Sequence, residues 1–337
     1  MKQKIEVIST IIATLIGAGF ASGQEIYTFF YVYGKKGIYG LAICCLLFMF
    51  IIYKVFKVLL ENNIVTYKDF INLLIGKYGF ILNTIVNLFL LITFFIMIAG
   101  FGAYFSQEIG ISTYTGSGIL ACLCFLTFIA NTNGITKVSS FLVPILITLI
   151  ILIGFINFSY LDINLVLESL TDVNSFNWLL SSILYTSYNS ILLIPVLITF
   201  KKNIETKNDI FNVSIYSGII LFILTLLIFF MLTKINIDIS KLEMPVIYVV
   251  NHFYQGFKQI YAFIILASIY TTAISIGIGF LENTCKSKKN YTLIVLIMCI
   301  SGFSISGFGF SNLITKLYPF FGYIGLIQIC LLFIACQ

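Results

Sequence analysis

Glu25 is the residue of this chain with the most chemistry to offer. It lies inside an apolar, membrane-length run from Ile11 to Phe30, IIATLIGAGFASGQEIYTFF, directly after the segment GAGFASG. In hydrocarbon an unpaired backbone group is costly, so irregular backbone survives there only where protein buries it or a watery cavity receives it. Gly17, Gly19 and Gly23 permit backbone conformations closed to other residues, and a carboxylate at that depth needs a partner. A helix broken at this place points to a binding site. Two roles compete for Glu25. Ser22 and Glu25 have the S-x-x-E spacing of a capping box, in which the serine oxygen accepts from a backbone amide and the glutamate reaches back to the cap residue. In the other role Glu25 binds a substrate amine or carries a coupling proton. Amides freed near Ser22 and Gly23 would suit a substrate carboxylate, and an amino acid carries both charges.

Three further groups of residues could contribute. The run Tyr185, Thr186, Ser187, Tyr188, Asn189, Ser190 places polar atoms in the middle of another apolar segment; Asn189 in particular requires hydrogen-bond partners there. Ser268, Thr271, Thr272, Ser275 and Gly279 fall within about 100° of arc on a helical wheel, forming a hydroxyl stripe. Ordinary helix packing accounts for such a stripe, because Ser and Thr bond across helices or back to their own carbonyls. A cation site accounts for it too. Tyr104 shares a helix face with Asn83, Asn87, Met97 and Phe101, and is read either as a packing residue or as a lid over the substrate.

The elements that must position these residues are membrane helices. Of 337 residues, 60% are hydrophobic and 9% charged, with a mean hydropathy of +1.07. Runs able to cross a bilayer, which takes about 20 helical residues, lie near 5–31, 38–60, 79–107, 116–132, 138–158, 176–200, 211–233, 256–284, 291–309 and 317–336. These ten spans leave no stretch long enough for a soluble domain. The chain has no arginine, and with the N-terminus inside, 13 of its 19 lysines fall on the cytoplasmic side. The outer loops hold Glu108, Asp162, Glu168, Asp172, Asp238 and Glu243. Lysine bias therefore predicts a multi-pass cell-membrane protein with both termini cytoplasmic. The net charge of +6 reads as this bias and does not indicate a nucleic-acid partner. MKQK before an apolar run resembles a cleaved signal, but Glu6 and the apolar continuation through Tyr33 favour a retained span. The amphipathic segment 65–79 is expected along the cytoplasmic interface, and 244–257 as an outer cap. Pro144 and Pro195 are expected to kink their spans.

Catalysis has little support. The eight cysteines match no zinc spacing, the single histidine, His252, cannot form a triad, and no hydrolase or nucleotide-binding motif is present. No organic cofactor and no obligate protein partner are indicated. The expected partners are a small-molecule substrate and the lipid bilayer.

Ten spans divide into two sets of five, about 1–165 and 166–337, within a single transmembrane domain. An odd number per half means that a shared fold enters the membrane from opposite sides, as an inverted repeat. The polar run and Pro195 of the sixth span answer the glycine break of the first, and the third span of each half is its longest. On these features the chain resembles the five-plus-five transporters of the amino acid-polyamine-organocation superfamily and the sodium symporters typified by LeuT. GAGFASGQE, the mid-membrane SYNS and the late LITKLYPFFGYIG resemble more specifically the YkvI-type bacterial membrane proteins, over essentially the whole chain. The resemblance implies an all-α membrane fold with spans 1 and 6 broken at mid-membrane. It implies that Gly17, Gly19, Ser22, Gly23, Glu25, Tyr185, Ser187, Tyr188 and Asn189 line the substrate, with Tyr104 from span 3. In the sodium-coupled members, hydroxyls on span 8 meet two carbonyls before the break in span 1. Ser268, Thr271 and Thr272 match that spacing, and Ala13 and Ile16 would offer the carbonyls of a sodium site; Ser at the first position departs from the pattern. The function implied is secondary transport of an amino acid or related amine with sodium or protons, and the alternative is a receptor of the same fold that binds without transport. A channel is disfavoured by the absence of charge rings.

Overall fold

The computed structural model describes residues 2–64, 66–130, 135–162, 166–168, 170, 177–284 and 290–334. Among these the protein is all helical, with no strand. Eight helices are long and apolar enough to cross a membrane. They are α4 (Lys35–Glu61), α6 (Gly79–Tyr104, prolonged by a π-turn to Ile109), α7 (Thr113–Ala130), α9 (Asn177–Thr199), α10 (Lys207–Leu232), α12 (Lys258–Thr284), α13 (Tyr291–Ile305) and α14 (Phe310–Ile334). Two more segments complete the expected order. The first span is split into α1 (Lys2–Leu15), α2 (Ala18–Ala21) and α3 (Gln24–Phe29), and the fifth is α8 (Ile135–Ser159). Counting flanking turns, the third span of each half is the longest, 31 residues over Gly79–Ile109 and 30 over Gln255–Thr284. Asp172, Cys285, Lys286, Lys288, Lys289 and Cys336 lie outside the described residues.

The sixth span departs from expectation, since α9 runs unbroken from Asn177 to Thr199 with Pro195 inside it. Its polar side chains explain why no break is needed. The Thr186, Ser187 and Asn189 side chains donate to the carbonyls of Ser182, Ile183 and Tyr185 four residues back, at 2.9, 2.7 and 3.0 Å. The polar run thus serves its own helix. On the other side of α9, Gly322 and Gly325 of α14 lie so close that a Cβ on Gly325 would come within 2.2 Å of the Ser187 carbonyl. That backbone approach is what glycine at helix interfaces permits.

Two short helices flank the bundle. α5 (Tyr67–Ile75) is capped by Thr66, whose Oγ1 accepts from Asp69 N at 3.1 Å, and it buries Phe70, Ile71 and Leu74 on one face. α11 (Pro245–Phe253) buries Val246, Ile247, Val249 and Val250. It packs chiefly on α10 and α12, and Val246 N bonds the broken first span at the Ser22 carbonyl.

Candidate functional site

The break in the first span has two bends. At Gly17 the chain is extended (φ −88°, ψ −173°), and at Gly23 it is left-handed (φ 82°), a region that favours glycine. Three carbonyls around the break find protein partners. Tyr261 Oη of α12 donates to the Ala21 carbonyl at 2.8 Å, and Val246 N of α11 donates to the Ser22 carbonyl at 2.9 Å. Ser181 Oγ of α9 donates to the Phe29 carbonyl at 2.7 Å, beyond the last turn of α3.

The capping box expected from Ser22 and Glu25 does not form. Gly23 is the cap residue of α3 and makes no side-chain cap bond. Ser22 Oγ donates to the Gly19 carbonyl (2.9 Å) and accepts from Gln24 N (3.3 Å). The left-handed turn at Gly23 starts α3 one residue late, and this aims Glu25 away from Ser22. The amides expected to be free are also taken: Ser22 N donates to Ala18 O at 2.9 Å and Gly23 N to Phe20 O at 3.0 Å. They offer nothing to a substrate carboxylate.

Glu25 turns instead into the middle of the protein. It is 5% exposed, and its Oε2 accepts from Tyr188 Oη at 2.7 Å. The Tyr185 side chain is a neighbour of the same carboxylate. Its other oxygen lies over Gly19, where a Cβ would come within 2.2 Å of Oε1. Gly19 is therefore the residue that leaves room for the carboxylate. Around it the rings of Tyr185, Tyr188, Tyr318 and Phe89 form a cage. Tyr188 meets Tyr318 at 4.5 Å between centroids and Tyr185 at 5.5 Å, edge-on, while Phe89 lies 6.3 Å from Tyr188 and 6.4 Å from Tyr318. Phe29, in the turn above Glu25, packs on Tyr185 and Tyr188 at 5.3 and 5.6 Å.

Gly17, Gly19, Ser22, Gly23, Glu25, Tyr185 and Tyr188 thus come together, as backbone hinge, space or ligand. Ser187 and Asn189 are buried but are turned to their own helix. Tyr104 stands apart. Phe89 is the residue of α6 that reaches the cage, and 15 residues on a helix place Tyr104 about 22 Å further along it, beside Phe105 and Glu108 at the C-terminal end of that helix. The tyrosine missed by sequence reasoning is Tyr318, whose only signal is its place seven residues before Gly325 in YPFFGYIG.

The hydroxyl stripe of α12 is only partly inward. Ser268 and Thr271 are buried, Thr272 is half-buried and Ser275 is exposed. Thr271 Oγ1 donates to Ser268 O at 3.1 Å, and Ser275 Oγ to Thr271 O at 2.9 Å. The principal neighbours of α12 are α6 and α8, and its contact with the first span is through α2. The carbonyls of Ala13 and Ile16, in and just after α1, are not joined to these hydroxyls by any hydrogen bond among the described residues.

Both ends of the broken span are latched. At one end Gln24 Nε2 donates to Ser311 Oγ at 2.6 Å, and Glu243 Oε2 accepts from Ser311 N at 2.7 Å. Gln107 Oε1, from the π-turn after α6, accepts from Glu243 N and Met244 N, both at 2.9 Å. Burial holds the Glu243 carboxyl above the usual carboxylate range, and the amides of Ser311 and Phe310 offset this only in part. At the other end Lys4 pairs with Asp209, which also forms a capping box with Thr206 at the start of α10. This ties α1 to α10.

No protein-family model matches the chain. It is similar over nearly its whole length to two Bacillus subtilis (strain 168) proteins, the uncharacterized membrane protein YkvI and the uncharacterized protein YyaD. They are 27% identical over 323 residues (94% of this chain, 91% of YkvI) and 28% identical over 329 residues (96% and 94%). Among solved structures it resembles the Eremococcus coleocola manganese transporter, with a TM-score of 0.65 at 15% identity, covering 97% of this chain and 77% of that one. It also resembles the inward-facing conformation of Mhp1, with a TM-score of 0.63 at 10% identity, covering 99% and 75%. The chain is therefore a multi-span membrane protein of the LeuT-type fold, similar to the YkvI group.

Proposed function

We propose that the protein is a secondary transporter of a small amine-bearing solute, working by alternating access between the two five-span repeats. The observation that carries this reading is Glu25, a buried carboxylate held by the Tyr188 hydroxyl at the broken centre of the first span. A charge at that depth needs an opposite charge beside it, and a substrate ammonium or a coupling proton supplies one. Because the cage rings touch one another, a solute reaches Glu25 only when they part. That motion links binding to the outer latch of Gln24, Ser311 and Glu243 and to the inner pair of Lys4 and Asp209.

Coupling to a proton at Glu25 is favoured over sodium at Ser268, Thr271, Thr272, Ala13 and Ile16, because α12 packs mainly on α6 and α8 and meets the first span at α2 rather than at α1. The manganese of the Eremococcus protein is not carried over. Among the described residues no three His, Cys, Asp or Glu side chains gather as a metal site, and Glu25 sits among rings.

The test is uptake of labelled amines into sealed proteoliposomes under an imposed proton or sodium gradient. Accumulation that a matching ionophore abolishes establishes secondary transport and names the ion. Saturable binding without accumulation would replace this reading with that of a receptor.

A further inference from the structure

We propose that the cleft beside Lys316 holds an anionic phospholipid, with the lipid phosphate paired to the lysine ammonium. Lys316 lies inside α14, among the apolar residues of a membrane-length helix. It belongs to a stripe of exposed residues at spacings of three and four, Asn312, Lys316, Phe320, Tyr323 and Ile327. Residues so spaced share one helix face. The large apolar side chains left exposed on it mark that face as the one turned to lipid.

A charge on that face needs an answer from outside the chain. Lys316 has no ion-pair or hydrogen-bond partner among the described residues. The 25 residues of α14 run about 37 Å against a hydrocarbon core of about 30 Å, and Lys316 stands about 9 Å from the first of them. Side chains on a helix lean toward its N-terminus. The four-carbon stem of Lys316 therefore turns back toward Phe310 and carries the ammonium to the headgroups of that leaflet.

A cleft of about 150 Å³ opens at this place, lined by Phe308, Asn312, Leu313, Lys316 and Leu317. Its chemistry suits the neck of a phospholipid. Lys316 supplies the cation, and Asn312 Nδ2, which donates one hydrogen to the Phe308 carbonyl at 3.0 Å, has a second for a phosphate oxygen. Leu313, Leu317 and the exposed Phe308 ring offer apolar contact to the glycerol and the first chain carbons, which a free phosphate ion would leave uncovered. No carboxylate lines the cleft. An anionic headgroup thus meets a positive site and brings no ammonium of its own to compete with the lysine, as phosphatidylcholine does. Lys316 is five residues after Ser311 of the latch and two before Tyr318 of the cage, so a lipid held here rests on the helix that carries both.

The experiment titrates the purified full-length protein, in a neutral detergent, with phosphatidylglycerol or phosphatidylcholine of the same acyl chains. The readout is the thermal unfolding midpoint, which a ligand of the native state raises by mass action. Phosphatidylglycerol is expected to give the same shift at about fivefold lower concentration, equivalent to about 1 kcal/mol. Lys316→Gln should erase that preference. Lys316→Arg, which keeps the charge, and Lys258→Gln, which removes another exposed lysine at the start of α12, should retain it. Equal shifts by the two lipids in the wild type, a preference that survives Lys316→Gln, or one that Lys258→Gln also erases overturns the proposal. So does an equal shift with inorganic phosphate alone, which makes the site one for the free ion, or a dimer that Lys316→Gln dissociates, which makes the cleft an interface between two copies of the chain.

Discussion

Replacing Gly19 with alanine tests whether the space beside Glu25 is functional. A Cβ at Gly19 would stand 2.2 Å from Glu25 Oε1, 3.0 Å from Cδ and 3.1 Å from Cγ. The obstructing atoms are the end of a side chain, so the carboxylate can swing away, and in doing so it leaves Tyr188. A hydrogen bond to a charged group contributes about 1.5–3 kcal/mol, and overpacking costs about 1–3 kcal/mol. Against this, alanine in the short helix Ala18–Ala21 gains up to about 1 kcal/mol in helix propensity. The net expectation is a stability loss of about 1.5–6 kcal/mol. Losing the placement of the carboxylate should weaken amine binding by about 10- to 100-fold, at 1.4 kcal/mol per factor of ten. Gly17→Ala is the control, because nothing lies within 4 Å of its Cβ and its extended backbone suits alanine; it should be neutral or gain about 0.4–1 kcal/mol. Thermal unfolding and amine binding would be measured on both variants. Wild-type binding by Gly19→Ala, or equal damage from Gly17→Ala, would refute the assignment of Gly19 as the residue that makes room for Glu25.

Tyr188→Phe keeps the ring of the cage and removes the donor to Glu25, so amine affinity should change while the fold persists; a titration curve identical to wild type would show that the bond is incidental. Gly23→Ala forces a side chain into a left-handed turn and toward Val246 Cγ2, 2.6 Å from the new Cβ. It should cost more than 1 kcal/mol and loosen α11, read as faster hydrogen exchange over 245–253. The Glu243 carboxyl titrates above its ordinary range in the folded protein, so the folded, latched form binds that proton more tightly than the unlatched form. Its contribution to the latch is then complete in acid and is lost as pH rises through the raised value. Exchange protection at Ser311 and Met244 should fall from mildly acidic to neutral pH in the wild type, and Glu243→Gln should remove that pH dependence.

The helices were legible because a bilayer imposes one length and one composition on every span, and ten apolar runs could be counted from hydropathy alone. The break in the first span was equally plain, since only protein partners make three glycines and a carboxylate tolerable at that depth. What the sequence could not show is where side chains spend their hydrogen bonds. The S-x-x-E spacing of Ser22 and Glu25 fits a capping box, but the φ of Gly23 moved the start of α3 and turned Glu25 toward Tyr188. The polar run of the sixth span looked like a break, yet Thr186, Ser187 and Asn189 reach carbonyls of their own helix four residues back, and α9 stays whole. Tyr318 escaped notice because its importance comes from α14 lying against α9 across Gly322 and Gly325, a tertiary contact invisible in local spacing.

The claim that Glu25 holds the solute is tested most directly by equilibrium binding of a labelled amine to purified wild type and Glu25→Gln. The substitution keeps size and polarity and removes the charge. The account predicts a variant that folds with a melting midpoint near or above wild type, because a buried charge has been removed, and that binds the amine at least about 30-fold more weakly, a loss of about 2 kcal/mol. A folded Glu25→Gln protein that binds the amine as tightly as wild type would contradict it.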